Sequence, residues 1–340
     1  MKILCQLALL ATLIWRAPLS GAAHAAPACH PVSQTLLALS GRVDSLLAAG
    51  TSGTALALVA QPGSAVRFLP HDSLAVFATG DAEAGARTIR LPPYLMAPGL
   101  AARTDGSRFY VLVDSTLLTL DGSGRLVARQ DLSMQAIGWP AAITTDASGN
   151  LYLIAQPAGA AAAQAYGLMP YRHGVLRIRW QTALGLTHAG SWIGLAGNAL
   201  LAVYLPDQHD VHGTVALLDS GHGTMRSSYA LPVPPIAADA LRDRLYVDDA
   251  GRIRAFALHT GAPIAAVSGA APLAVGGALG LVAFVDGQLL IVARSDNLRR
   301  VLAIPFPGGM TPTALAWQGE SLLVGAARGV SRIRLDQCPQ

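Results

Sequence analysis

The stretch that decides the fold is "IAADALRDRLYVDDAGRIRAFALHTGAPIAAV", residues 236 to 267. It holds four runs of strand length, "IAADA", "RLYVD", "RIRAFA" and "PIAAV", and each gap between them is filled by Asp, Gly, Ala or Thr-Gly. Short runs rich in β-branched and aromatic residues, bounded by turn formers, are strands joined by tight turns. Four in succession make a small antiparallel sheet. The same phrase recurs as "GLAARTDGSRFYVLVDSTLLTLDGSGRLVARQDL" (99 to 132), as "AAITTDASGNLYLIAQ" with "GVLRIRW" (141 to 180), and as "TALAWQGESLLVGAARGVSRIRLDQ" (313 to 337).

A four-strand unit repeated every 35 to 55 residues or so predicts the blades of an all-β propeller. Repeat starts fall near residues 42, 97, 140, 189, 235, 271 and 311. Seven blades fit best, with six or eight as the neighbouring counts. No stretch after residue 30 keeps a helical period over several turns. The last repeat supplies only three strands before the chain ends, and the unused run "QTLLALSG" (34 to 41) is expected to provide its fourth. Cys29 and Cys338 then flank neighbouring antiparallel strands, which predicts a disulfide across the ring closure; two unrelated free thiols are the alternative. A closed loop of about 310 residues makes that staple worth about 5 kcal/mol in the chain-entropy treatment.

Residues 1 to 25 combine a basic start, an apolar run from Ile3 to Trp15 and the small-residue pattern Ala23-His24-Ala25. They predict a secretory signal peptide, leaving 26 to 340 as one propeller domain that is periplasmic or secreted. The apolar run is shorter than the roughly 20 residues of a membrane span and is stopped by Arg16 and Pro18, so the chain is not expected to span a membrane. Lipoprotein anchoring through Cys29 is the weaker alternative, since "APAC" lacks the usual leucine.

Without that segment the net charge falls from +4 to +2, and no lysine remains, Lys2 being the only one. Schiff-base chemistry, lysine bases and a P-loop lysine are thereby excluded from the mature chain. Glu83 and Glu320 are the only glutamates, beside 18 aspartates. A charged fraction of 13% is about half that of an average domain, which suits an acidic or extracytoplasmic setting. Near-neutrality without basic runs argues against nucleic acid as a partner.

The phrase "LYVDDAGRIRAFALHTGAPIAAV" (245 to 267) resembles the repeat of pyrroloquinoline-quinone-binding-like propellers, and "DASGNLYLIA" (146 to 155) is similar to the NHL and gluconolactonase-type propellers. The resemblance implies a propeller fold. The quinone group's docking tryptophan has an apolar residue in its place after "HTGAPIAAV", and no calcium-binding acid cluster matches. Neither Glu83 nor Glu320 lies in a channel-lining run that would supply a gluconolactonase ligand.

Two second-to-third-strand loops are read as long: 156 to 174 in the third blade and 206 to 213 in the fourth. Long loops in compact folds are more often functional than accidental. With the connection at 187 to 191 they would gather Tyr166, Met169, Tyr171, Arg172, His173, His188, Asp207, His209, Asp210 and His212 on one face. Those residue types suit a protein-recognition patch. A plain solvated loop is the bland alternative, and His173, His188, His209 and His212 are the residues that would hold Zn or Cu, with Ca a further metal to consider. His222 is carried to the opposite face by the intervening strand. Asp105 and Asp146 are expected as turn formers, and the pairs Arg177/Arg179, Arg252/Arg254 and Arg332/Arg334 as solvent-facing or cross-strand-paired side chains of third strands. No nucleophile elbow, Cys-His pair or phosphate loop is present. The sequence therefore points to an exported, monomeric, non-catalytic propeller that binds a protein partner in the cell envelope, with no cofactor expected. The alternative is a metal- or quinone-dependent oxidoreductase or a lactonase-like hydrolase.

Overall fold

The computed structural model describes residues 33–49, 53–60, 73–80, 86–92, 98–157, 162–171, 175–185, 191–197, 199–206, 212–306 and 310–335. Its first strand, β1 (Ser33–Ala38), stands apart from the blade that follows it in sequence. Blade 1 is β2 (Arg42–Ala48), β3 (Thr54–Ala60), β4 (Ser73–Ala78) and β5 (Arg87–Arg90). Blade 2 is β6 (Gly99–Ala102), β7 (Arg108–Val113), β8 (Thr116–Asp121) and β9 (Leu126–Asp131). Blade 3 is β10 (Trp139–Thr145), β11 (Leu151–Gln156), β12 (Ala163–Pro170) and β13 (Leu176–Gly185). Blade 4 is β14 (Trp192–Leu195), β15 (Leu200–Pro206), β16 (Gly213–Asp219) and β17 (Met225–Leu231). Blade 5 is β18 (Pro235–Asp239), β19 (Arg244–Asp248), β20 (Arg252–Ala257) and β21 (Pro263–Ser268). Blade 6 is β22 (Ala270–Gly276), β23 (Leu281–Asp286), β24 (Leu289–Arg294) and β25 (Arg300–Pro305). Blade 7 is β26 (Ala314–Gln318), β27 (Ser321–Ala326) and β28 (Gly329–Arg334), completed on its outer edge by β1.

Seven four-stranded antiparallel sheets thus form a seven-bladed β-propeller, and every blade start lies within three residues of its expected place. The closure is as expected too. Ser33 pairs with Ile333 and Ala38 with Gly329, so the first and last strands of the chain zip the ring shut. The inner strands touch one another in ring order, β2 against β6 and so on round to β26 against β2.

The core is not one mass but seven layers, each filled by the facing sides of two adjacent blades. Blades 2 and 3, for example, share Tyr110, Leu117, Leu153 and Tyr166. The second and third strands are buried on both faces, as in the all-buried pattern of β3, and so read as continuous apolar runs. Outer strands alternate instead, as β9 and β21 do, because one face looks to solvent. Register shifts recur early in the inner strands, at 43/45, 140/142, 235/237 and 270/273, and between the third and fourth strands of blades 2 to 6. Such bulges strengthen the twist that lets blades pack face to face.

Neighbouring blades also clasp at their rims. The outer strand of one blade lies on the third-to-fourth-strand turn of the next, and that turn presents a left-handed glycine, Gly223 (φ 72°) or Gly261 (φ 71°). A Cβ at Gly223 would strike Trp180 at 2.3 Å and one at Gly261 would strike Tyr229 at 2.3 Å, so glycine serves both the backbone angle and the close approach.

Candidate functional site

Alternating strand direction gives the ring two faces. The upper face carries the connections between blades and the second-to-third-strand turns, and the lower carries the other two sets of turns. The central channel is lined by the inner strands, whose only ionisable residues are Arg42, Asp44 and Asp239. All three are engaged. Arg42 Nε donates to Asp44 Oδ1 at 2.6 Å. Asp239, buried to 1% side-chain exposure, accepts from the Ser295 hydroxyl, from the Leu241 amide at 3.1 Å and, more weakly, from Arg242 at 3.5 Å. Tyr246 donates to the Ser295 carbonyl at 2.7 Å, and burial pushes its hydroxyl up to about 12, so it stays a neutral donor tying blade 5 to blade 6.

The anticipated patch divides. Residues 163 to 170, read from sequence as part of a long loop, are the strand β12. Tyr166 is 1% exposed inside the layer between blades 2 and 3 and cannot face a partner. β12 runs from the upper to the lower face, so Met169 and Tyr171 stand at its lower end, while His212 stands on the upper face beside the last residues of β15. A strand of eight residues spans roughly 26 Å, which separates the two groups. Arg172, His173, His188, Asp207, His209 and Asp210 lie outside the described residues, as do Cys29, Cys338 and residues 1 to 32. Tyr171 N–H donates to Val175 O at 2.8 Å, so both described ends of the segment that carries Arg172 and His173 are at the lower face. The ends of the segment carrying Asp207, His209 and Asp210 are at the upper.

His212 is exposed, and its Nδ1 sits 3.0 Å from Pro232 O. A carbonyl only accepts, so Nδ1 is the donor in that contact. Among the described residues no three His, Cys, Asp or Glu side chains come together as a metal-holding group.

At the lower rim a different set gathers. Arg177 lies 4.5 Å over the Tyr171 ring, and Met169 is its cross-strand neighbour. Trp180 Nε1 donates to Ser220 O at 2.9 Å and Thr182 Oγ1 to Gly223 O at 2.8 Å, which seats β13 on the turn of blade 4. That seating brings Arg179 Nη2 within 3.9 Å of where a Cβ on Gly221 would be. Around the corner stand His222, Met225 and Arg226. Asp219 organises the turn: Oδ1 accepts from the amides of Gly221 (2.9 Å) and His222 (3.0 Å) and meets His222 Nδ1 at 3.2 Å, and Oδ2 accepts from Arg226 at 2.8 Å. The Arg226 guanidinium, with those further donors, holds its carboxyl down at about 2.

His222 is indeed on the opposite face from His212, as expected, but the exposed Tyr and Met of blade 3 are there with it. The arginine pairs also sort differently. Arg177 and Arg179 are on a fourth strand, not a third, and both are exposed. Arg254 pairs with Asp249 at 2.7 Å. Arg332 is cross-strand-paired, one of the two expected forms, and is buried at 6%: its guanidinium donates to Gln34 Oε1 of the facing strand β1 at 2.5 Å and to Thr79 O at 2.6 Å across the ring closure. Asp105 and Asp146 are turn formers, accepting from Ser107 N and Asn150 N at 2.9 Å each.

No family model matches the chain, and no curated protein matches it in sequence. Among solved structures, a Kuenenia stuttgartiensis hydrazine synthase is similar with TM-score 0.60 at 11% identity over 87% of this chain and 96% of that one. BamB from Moraxella catarrhalis is similar at 15% identity over 91% of this chain and 89% of that one, with TM-score 0.48. At such identities the first likeness speaks for the propeller fold alone, and the second, below 0.5, adds no argument. No helix among the described residues is long and apolar enough to cross a membrane.

Proposed function

We propose that the chain is an exported, non-catalytic propeller that acts as a monomeric protein-binding or assembly module of the cell envelope, and that its contact surface is the lower rim of blades 3 and 4. The observation that carries this reading is the company kept by Met169 (44% exposed), Tyr171 (50%) and Met225 (54%), three large apolar side chains interleaved with Arg177, Arg179 and Arg226. Tyr, Met and Arg are enriched where proteins meet, and exposed apolar clusters with polar rims mark such places. The described channel wall offers no comparable convergence of reactive groups, which is what a hydrolase or oxidoreductase centre would require. The test is affinity capture from the native envelope fraction with three forms of the chain: unaltered, Tyr171→Ser/Met225→Ser, and with residues 207 to 211 replaced by a short Gly-Ser linker. The reading expects the double variant to lose its partner and the loop variant to keep it.

Export rests on the basic, apolar and small-residue order of residues 1 to 25, and the staple on register. If the register of Ser33 opposite Ile333 were continued step for step, Cys29 would fall opposite Gln337, one residue from Cys338. The mature chain is expected to show an intact mass that lacks both thiol hydrogens, and reduction is expected to lower the unfolding midpoint. An unchanged midpoint after reduction counts against the staple.

A further inference from the structure

The lower rim of blades 3 and 4 has a charge as well as a shape. Across β12, β13, β16, β17 and the turn at 220–224, the described residues carry three arginines and a single carboxylate. That carboxylate, Asp219, is already occupied by Arg226, His222 and two amides, so it offers nothing to a cationic visitor. Arg179 has no ion-pair partner among the described residues, and Arg177 is laid on the Tyr171 ring with its fork open to solvent.

Two further features narrow the visitor. The cations are guanidiniums, since the mature chain has no lysine, and a guanidinium offers a planar pair of donors that matches a carboxylate better than a point charge does. The array also follows the rim: Met169 and Tyr171 stand at the lower end of β12, Arg177 and Arg179 beside them at the start of β13, and Met225 and Arg226 at the start of β17 on blade 4. Cations and apolar side chains set side by side along a rim complement an extended segment that carries carboxylates and apolar side chains together.

Resting on the proposed binding function, we infer that this rim receives an extended acidic segment of a partner protein, whose Asp or Glu carboxylates engage Arg177 and Arg179 while its aromatic or aliphatic side chains lie on Tyr171, Met169 and Met225. The arrangement leaves Asp219 and Arg226 to each other and uses the exposed cations of β13 for the partner.

The experiment uses the full mature chain and three synthetic peptides of equal length: one alternating Glu with Phe and Leu, one with Gln in place of Glu, and one with Arg in place of Glu, each titrated at low and at physiological salt. The acidic peptide is expected to bind at least tenfold more tightly than the other two and to weaken as salt rises, because exposed charge pairs are screened. Arg177→Ala/Arg179→Ala is expected to remove most of that preference, with the thermal midpoint unchanged because both side chains are exposed. Equal binding of the acidic and Gln peptides, or an acidic-peptide affinity untouched by the arginine pair, overturns the inference. So does tighter binding to vesicles containing anionic lipid than to neutral vesicles with no preference among the peptides, since the rim would then read a membrane surface. The failures are separable: if Tyr171→Ser/Met225→Ser abolishes envelope capture while the arginine variant does not, the binding module stands and the acidic partner falls. If neither variant changes capture, both fall.

Discussion

The inner and outer strands of the same blades are built from different residues for different ends. Inner strands such as β10, β18 and β26 are rich in Ala, Pro and Ile or Leu, carry few charges, and press against their neighbours around the channel. Outer strands such as β13 and β17 carry Arg, Ser and Met on exposed sides, and the contacts they make through Trp180 and Tyr229 are rim clasps. The lesson is that closure and contact are separated radially. Whatever the chain binds, the ring does not depend on the residues that would bind it.

That separation is easiest to break at the seam. Removing residues up to Ala38 leaves the edge of β28 unpaired and takes Gln34 from the buried Arg332 guanidinium. A buried guanidinium that loses one of its acceptors and an open strand edge both penalise the folded state. Thermal unfolding followed by circular dichroism is expected to lose its single sharp transition. The buried tie between blades 5 and 6 comes next: Asp239→Ala strands the Ser295 hydroxyl and the Leu241 amide, with an expected loss of about 3 kcal/mol in urea unfolding. At the rim the effect on stability should nearly vanish. Tyr171→Ser and Met225→Ser each change exposed side chains and are expected to shift unfolding by less than about 0.5 kcal/mol, although the two together are expected to abolish binding. A large destabilisation there would collapse the distinction between closure and contact.

The smallest expected effect is electrostatic. Asp219 has its carboxyl lowered from the ordinary value of 3.8 to about 2, chiefly by Arg226, so the unfolded chain takes up this proton before the folded one does. Its contribution is therefore complete above about pH 4 and is lost as pH falls toward 2. Asp219→Asn is expected to flatten that part of the acid unfolding profile without changing stability differences elsewhere along it.

Much of the architecture was legible in the sequence because turn chemistry is local. Asp105 and Asp146 fold their own turns, and the shortage of one strand in the last repeat announced the closing β1. Tyr166 shows where such reading stops. The piece "PAGAAAAQAYG" (157 to 167) lacks β-branched residues and has flanking Pro and Gly, so it reads as a loop. From Ala163 onward it is a strand because tertiary packing overrides propensity. Gly167 lies opposite Trp180, where a Cβ would come within 2.4 Å of the indole, and Ala163 and Ala165 are small enough to sit in the layer between blades 3 and 4. Turning that one segment from loop to strand moves Met169 and Tyr171 from the upper face to the lower and exchanges their companions from His212 to His222, Met225 and Arg226. Only the pairing of distant strands carries that information.

The two faces compete for one role. On the upper face, Met134 and Trp139 are exposed along the connection between blades 2 and 3, where Asp131 caps the short helix at 132–135. On the lower rim, apolar side chains alternate with arginines. Hydrogen exchange of the captured complex, compared residue by residue with the free chain, decides between them. The account predicts slowed exchange confined to residues 169–171, 175–182 and 219–226. Slowed exchange at 131–139 and at the strand ends flanking 207–211, with the lower rim unchanged, would contradict it.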